Sequence, residues 1–132
     1  MSGLSTYLAT EYLNWLNGIP PDTAPTAVYV ALFDGDPTDA GNGGTEVTED
    51  VRTAGRVEVT FGAIANKAMS NDAEIDFGEA AGAAEVDYFA IFDADTGGNM
   101  LASNALETPR SITAGDPVKF AVGDITVDLS SP

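Results

Sequence analysis

The chain has 132 residues, with 21 Asp and Glu against 5 Lys and Arg, no His and no Cys, for a formal net charge of −16. Nucleic-acid binding rests on Lys and Arg neutralising phosphates, so this charge excludes it, and an anionic membrane surface would repel the chain. The missing Cys and His exclude disulfides, the common zinc sites and Ser-His-Asp or Cys-His catalysis.

The first predicted element is an amphipathic helix over about residues 3–17. Leu4, Leu8, Tyr12, Trp15 and Leu16 recur at the spacing of one helix face. Tyr7 and Leu13 widen that face. Ser2 suits the N-cap, Gly18 the C-terminal stop, and Pro20 and Pro21 prevent continuation. Such a helix either covers the main core or docks onto a partner subunit. The N-terminus lacks the basic-then-apolar order of a signal peptide. No apolar run approaches the roughly 20 residues that span a bilayer.

After Pro25 the period changes. Thr26 to Phe33 is nearly continuous in apolar residues, as in a central strand buried on both faces. Asp34 to Asp50 is rich in Gly, Asp and Thr and reads as a long exposed loop, a place where function often concentrates. Arg56 to Phe61 alternates with Val57, Val59 and Phe61 on one face. Ala73 to Phe77 is a short strand with Ile75 and Phe77 inward. Ala80 to Ala84 is a loop or a tight crossing, and Glu85 to Phe92 is a second central strand. Asp93 to Asn99 is a turn that joins it to a strand over Met100 to Leu106, which makes a hairpin. Pro109 breaks the chain, and Ser111 to Thr113 pairs briefly. Val118 to Val122 and Ile125 to Leu129 form a terminal pair through Gly123 and Asp124. The expected fold is mainly β. It is a single domain over residues 1–132: an antiparallel β-sandwich of about seven or eight strands, spanning about 26–130, behind one N-terminal helix. No repeat, heptad or collagen-like period is present, so the chain holds no fibrous shaft.

Few residues offer chemistry. Asp93, Asp95 and Asn99, with Gly98 at the sharp-turn position, partly match a calcium loop. Gly97 stands where an oxygen ligand belongs, and the closing Glu is absent. Asp34, Asp36 and Asp39 cluster without a ligand spacing. Asp and Gly are ordinary turn residues, and both segments read as turns, with no metal and no cofactor. Glycoside hydrolysis needs two carboxylates about 5 to 9 Å apart, a distance that arises by chance among this many acids. Trp15, Tyr29 and Tyr88 could stack on a sugar, but alternation places them in the core. No enzyme is expected.

The order of the segments carries a resemblance. YLATEYLNWLNG, APTAVYVALFDGDPTDAGNGGTEV, RVEVTFGA, YFAIFDADTGGNMLASNAL and ITAGDPVKFAVGDITVDL resemble the small tail-fibre proteins of tailed phages, from about Leu4 to Leu129. The resemblance implies a non-enzymatic structural protein of the virion, a fibre or baseplate module in assembly or host attachment. Its partners would be other virion proteins and symmetric copies of itself, with a host-surface glycan as a further candidate. Capsid decoration and a calcium-dependent carbohydrate-binding module are the alternatives. The chain is far more acidic than that pattern, which points to a host living in strong brine. The residues expected to touch neighbours are Tyr7, Leu13 and Trp15 on the helix and Asp34, Asp36, Asp39, Asn42 and Thr45 on the loop.

Overall fold

A computed structural model describes residues 3–47 and 55–128. It opens with a two-residue strand, β1 (Gly3–Leu4), and a helix, α1 (Thr6–Leu16). The strands that follow are β2 (Val28–Asp34), β3 (Thr45–Val47), β4 (Val57–Val59), β5 (Ala68–Ser70) and β6 (Ile75–Glu79). The last four are β7 (Ala84–Phe92), β8 (Met100–Ile112), β9 (Pro117–Phe120) and β10 (Thr126–Asp128). All pairings are antiparallel.

A six-stranded sheet runs β1-β8-β7-β2-β3, and β4 pairs with the first half of β2. Two ribbons, β6-β9 and β10-β5, complete the fold. Alternation along the central strands sends side chains to two faces. Val30 and Leu32 of β2, Val86, Phe89 and Ile91 of β7, and Ala102 and Leu106 of β8 join one cluster with Ile75, Phe77, Val118, Phe120 and Ile125 from the ribbon side. This is the sandwich core. Phe77 and Phe120 meet edge-on, ring centroids 6.0 Å apart. On the other face Ala31, Phe33, Ala90 and Met100 form a smaller cluster with Tyr88 and Phe92 beside it. The two central strands are therefore buried on both faces, as their unbroken apolar sequences require.

The expected mainly β architecture is present, with more strands than the sequence suggests. β5 lacks an apolar alternation and is recruited by β10. Three other differences have physical causes. Pro109 does not end its strand: β8 continues to Ile112 beside β7. The register shifts between the Val86↔Arg110 and Tyr88↔Ala105 pairs, and the bulge takes up Leu106 to Pro109, which spares proline a ladder hydrogen bond it cannot donate. Val118 to Val122 and Ile125 to Leu129 are not a hairpin. β9 pairs with β6 and β10 with β5, so the intervening turn crosses between ribbons. Asn71, 1% exposed, holds that crossing. Its Oδ1 accepts from the N–H of Gly123 and Ile125 at 3.1 and 2.9 Å, and its Nδ2 donates to the carbonyls of Ala73 and Ala121. The buried amide is thereby satisfied at every position.

The third difference is the start of the helix. Leu4 does not join α1, because Gly3 and Leu4 pair with Ser103 and Ala102 of β8. The N-cap is Ser5, whose Oγ accepts from Leu8 N–H at 3.0 Å; Ser2 lies outside the described residues. Gly18, at φ +74°, closes the other end in the left-handed conformation that favours glycine.

Candidate functional site

α1 lies against the sheet edge at β8 and Leu101, tied there by the Ser5 N–H to Leu101 carbonyl bond at 2.9 Å. No side chain within α1 is fully buried. Tyr12, Leu13, Trp15, Leu16 and Ile19 are roughly half to two thirds exposed. Tyr12 and Trp15 stack on each other, ring centroids 6.2 Å apart. The expectation that Trp15 sits in the core is therefore corrected, whereas Tyr88 does pack against the second cluster. The reason is position. α1 is attached to the sheet through its N-terminal turn, and its second half stands beside the segment 21–25 rather than against the main core.

The chain after α1 folds back to make a groove of about 750 Å³. Its apolar lining includes Leu4, Leu8, Tyr12, Trp15 and Leu101, with Pro21, Ala24 and Pro25 from the returning segment. Two contacts clip that segment to the helix. The Tyr7 hydroxyl donates to Asp22 Oδ2 at 2.9 Å, and Asp22 N–H donates to Glu11 Oε2 at 2.5 Å. Bonding to the Asp22 carboxylate favours the protonated phenol and pushes the Tyr7 pKa up to about 12. Glu11, Asp22, Asp93 and Lys67 supply the charges along the groove.

Residues 34–45 stand at the N-terminal end of the same helix. The expected long loop from Asp34 to Asp50 is instead a hairpin, with Asp34 opposite Thr45 and Leu32 opposite Val47. Asp50 lies outside the described residues. Asp34 and Thr45 thus belong to strands. Between them, Asp36 Oδ1 accepts from Thr38 N–H at 2.8 Å, Thr38 Oγ1 donates to Asn42 Oδ1 at 2.9 Å, and Pro37 is buried. The Asp39 carbonyl accepts from Thr6 N–H at 2.8 Å, so this connection caps α1. The connection is tightly closed: a side chain on Gly44, at φ +61°, would stand 2.6 Å from the Gly35 carbonyl oxygen. The Asp39–Thr6 bond joins the hairpin to the first turn of the helix, and Leu13 and Trp15 stand further along the same helix.

Asp93 and Asn99 are bonded to each other. Asp93 Oδ1 accepts from Asn99 N–H at 2.7 Å and Oδ2 from Asn99 Nδ2 at 3.2 Å, which closes the β7–β8 turn. A side chain on Gly98 would meet Asp93 Oδ1, leaving little room there. Among the described residues no three Asp or Glu gather as a metal would require.

Sequence reasoning missed Arg56. Its side chain is 7% exposed and pairs with both Glu46 oxygens at 3.0 Å. It also donates to the carbonyls of Ala94 and Gly97 and lies 3.6 Å above the Phe92 ring centroid. Its only sequence signal is rarity, as one of five cations.

No helix among the described residues is long and apolar enough to cross a membrane. No curated protein matches the chain. The model of one family, the Podophage GP4 fiber I protein gp80, matches residues 3–128. That match spans the helix, both ribbons and the whole six-stranded sheet, and so the chain belongs to this family of phage fibre proteins.

Proposed function

We propose that the protein is a non-enzymatic fibre or baseplate module on the virion of a tailed phage of a salt-loving host. It docks onto neighbouring virion proteins through α1 and the adjoining hairpin. One observation carries this reading. On a chain of net charge −16, residues 3–21 contain a single acid, Glu11, and this stretch also bears five exposed large apolar side chains. Contiguous exposed apolar surface marks interaction sites, and the core of an interface is depleted in charge. Many symmetric copies would make weak contacts of this kind count together.

The test replaces Leu13 and Leu16 together with Ser. Neither side chain is buried, so the purified variant should keep its far-UV spectrum and melting temperature. Incorporation into particles should fall by about tenfold or more, as for loss of apolar interface anchors. Normal incorporation would overturn the docking role of the helix.

A further inference from the structure

We infer that the groove between α1 and the segment 21–25 receives a helix of another virion protein, apolar on one face and carrying Lys or Arg along its flanks. This inference rests on the docking reading above and names its partner. Three observations select the occupant.

The first concerns hydrogen bonding. The backbone of α1 is bonded within the helix, and the facing segment contains Pro21 and Pro25, which have no N–H. Neither wall is a β-strand, and the prolines interrupt the donors of the facing segment, which favours an occupant that satisfies its own backbone polar groups. A helix does so, and apolar grooves accept helices through anchors spaced one turn apart.

The second concerns polar groups. A sugar needs free donors and acceptors around its hydroxyls. Here the Tyr7 hydroxyl is given to Asp22, and Glu11 accepts from Asp22 N–H. What remains is predominantly apolar, Leu4, Leu8, Leu101 and the rings of Tyr12 and Trp15, with Thr23 and Lys67 as further polar groups, a lining suited to Leu or Ile side chains flanked by polar ones.

The third concerns charge. Glu11, Asp22 and Asp93 outnumber Lys67 in the groove. A cation-flanked helix relieves that excess. A second copy would not, since α1 contains no Lys or Arg and each copy adds a net charge of −16.

The chain has one tryptophan, Trp15, so its fluorescence reports the groove directly. The probes are three synthetic peptides of about 15 residues, long enough to be helical when bound. One has a Leu face flanked by Lys, one has the same face flanked by Glu, and one has the first composition scrambled. Titration with the Lys-flanked peptide should shift Trp15 emission to the blue and saturate. The Glu-flanked and scrambled peptides should bind at least about tenfold more weakly. Glu11→Gln should narrow the Lys-against-Glu preference while retaining the contact to Asp22. Absence of the blue shift, or equal binding of the scrambled peptide, would overturn the inference. A dimer in sedimentation, with Trp15 already blue-shifted, would overturn it in favour of a second copy. If the Leu13 and Leu16 double variant is lost from particles while no peptide binds, the docking reading stands and this occupant falls. If the peptide binds and incorporation is normal, the reverse holds.

Discussion

Arg56 shows how much one scarce cation can hold. Its guanidinium joins β3 through Glu46, the β7–β8 turn through the Ala94 and Gly97 carbonyls, and the second apolar cluster through Phe92. Removing one partner of a buried pair leaves the other desolvated and unpaired. Arg56→Ala should therefore cost about 2–4 kcal/mol, somewhat below the fully buried case because Glu46 is a quarter exposed. The urea midpoint measures this, and a change below about 0.5 kcal/mol, typical of surface substitutions, would show that the clamp contributes little. Asp116 illustrates a titrating residue. Hydrogen bonds from the Thr113 N–H and hydroxyl hold its carboxyl below the usual carboxylate range. A depressed folded pKa contributes stability above the unfolded value of about 4, which is lost as pH falls through the folded value. Asp116→Asn should flatten the acid limb of a melting-temperature profile below about pH 4. An unchanged limb would assign it to other carboxylates.

At the scale of elements, the hairpin from β2 to β3 is part of the scaffold as well as part of the candidate contact region. Deleting Asn42 to Val47 would remove Glu46, β3 and the closure at Gly44. The expected result is destabilisation of at least about 2 kcal/mol by urea denaturation, because Arg56 loses its carboxylate partner. A deletion variant as stable as the parent would reduce the hairpin to a surface appendage. α1 behaves in the opposite way. It is held by its first turn and by the Tyr7–Asp22 clip, and its apolar second half contributes little to the sandwich core. A helix attached in this way can present its side chains to a partner without strain in the sheet.

For the whole molecule, charge is the dominant unusual property. Arg56 is spent on Glu46, and Arg110 donates to the Lys119 carbonyl and lies 4.0 Å from the Phe120 ring centroid. Most of the acids are left to repel one another across a molecule of net charge −16. Screening length falls from about 10 Å at 0.1 M salt to about 3 Å at 1 M. Melting temperature should therefore rise markedly between about 0.1 M and 2 M NaCl, and KCl should act alike. A flat melting temperature across that range would remove the case for a brine-dwelling host.

The sequence by itself determined the properties that depend on neighbours along the chain. The alternation in Arg56 to Phe61, the apolar runs of the central strands, the turn from Asp93 to Asn99 and the apolar pattern of α1 each follow from local spacing, and so does the acidity. The helix half of the candidate site was legible as a stripe that holds Trp15 and that Tyr7 and Leu13 widen, but the exposure of Trp15 was not. Only the tertiary structure decided which strands pair, because a partner is chosen by burial across long separations and leaves no local period. The pairing of β5 with β10 has no signal in either segment alone: Ile125 to Leu129 reads as a strand, but nothing local assigns it Ala68 to Ser70 as partner. Pro109 was misread because a bulge against β7 decides whether proline ends a strand. Ser5 replaced Ser2 as the cap because β8 recruits Leu4. The groove was invisible because Leu101 and the segment 21–25 meet Trp15 only once the helix is fixed to the sheet edge. Exposure of an apolar face is set by what stands opposite it, and that is a fact of packing rather than of sequence.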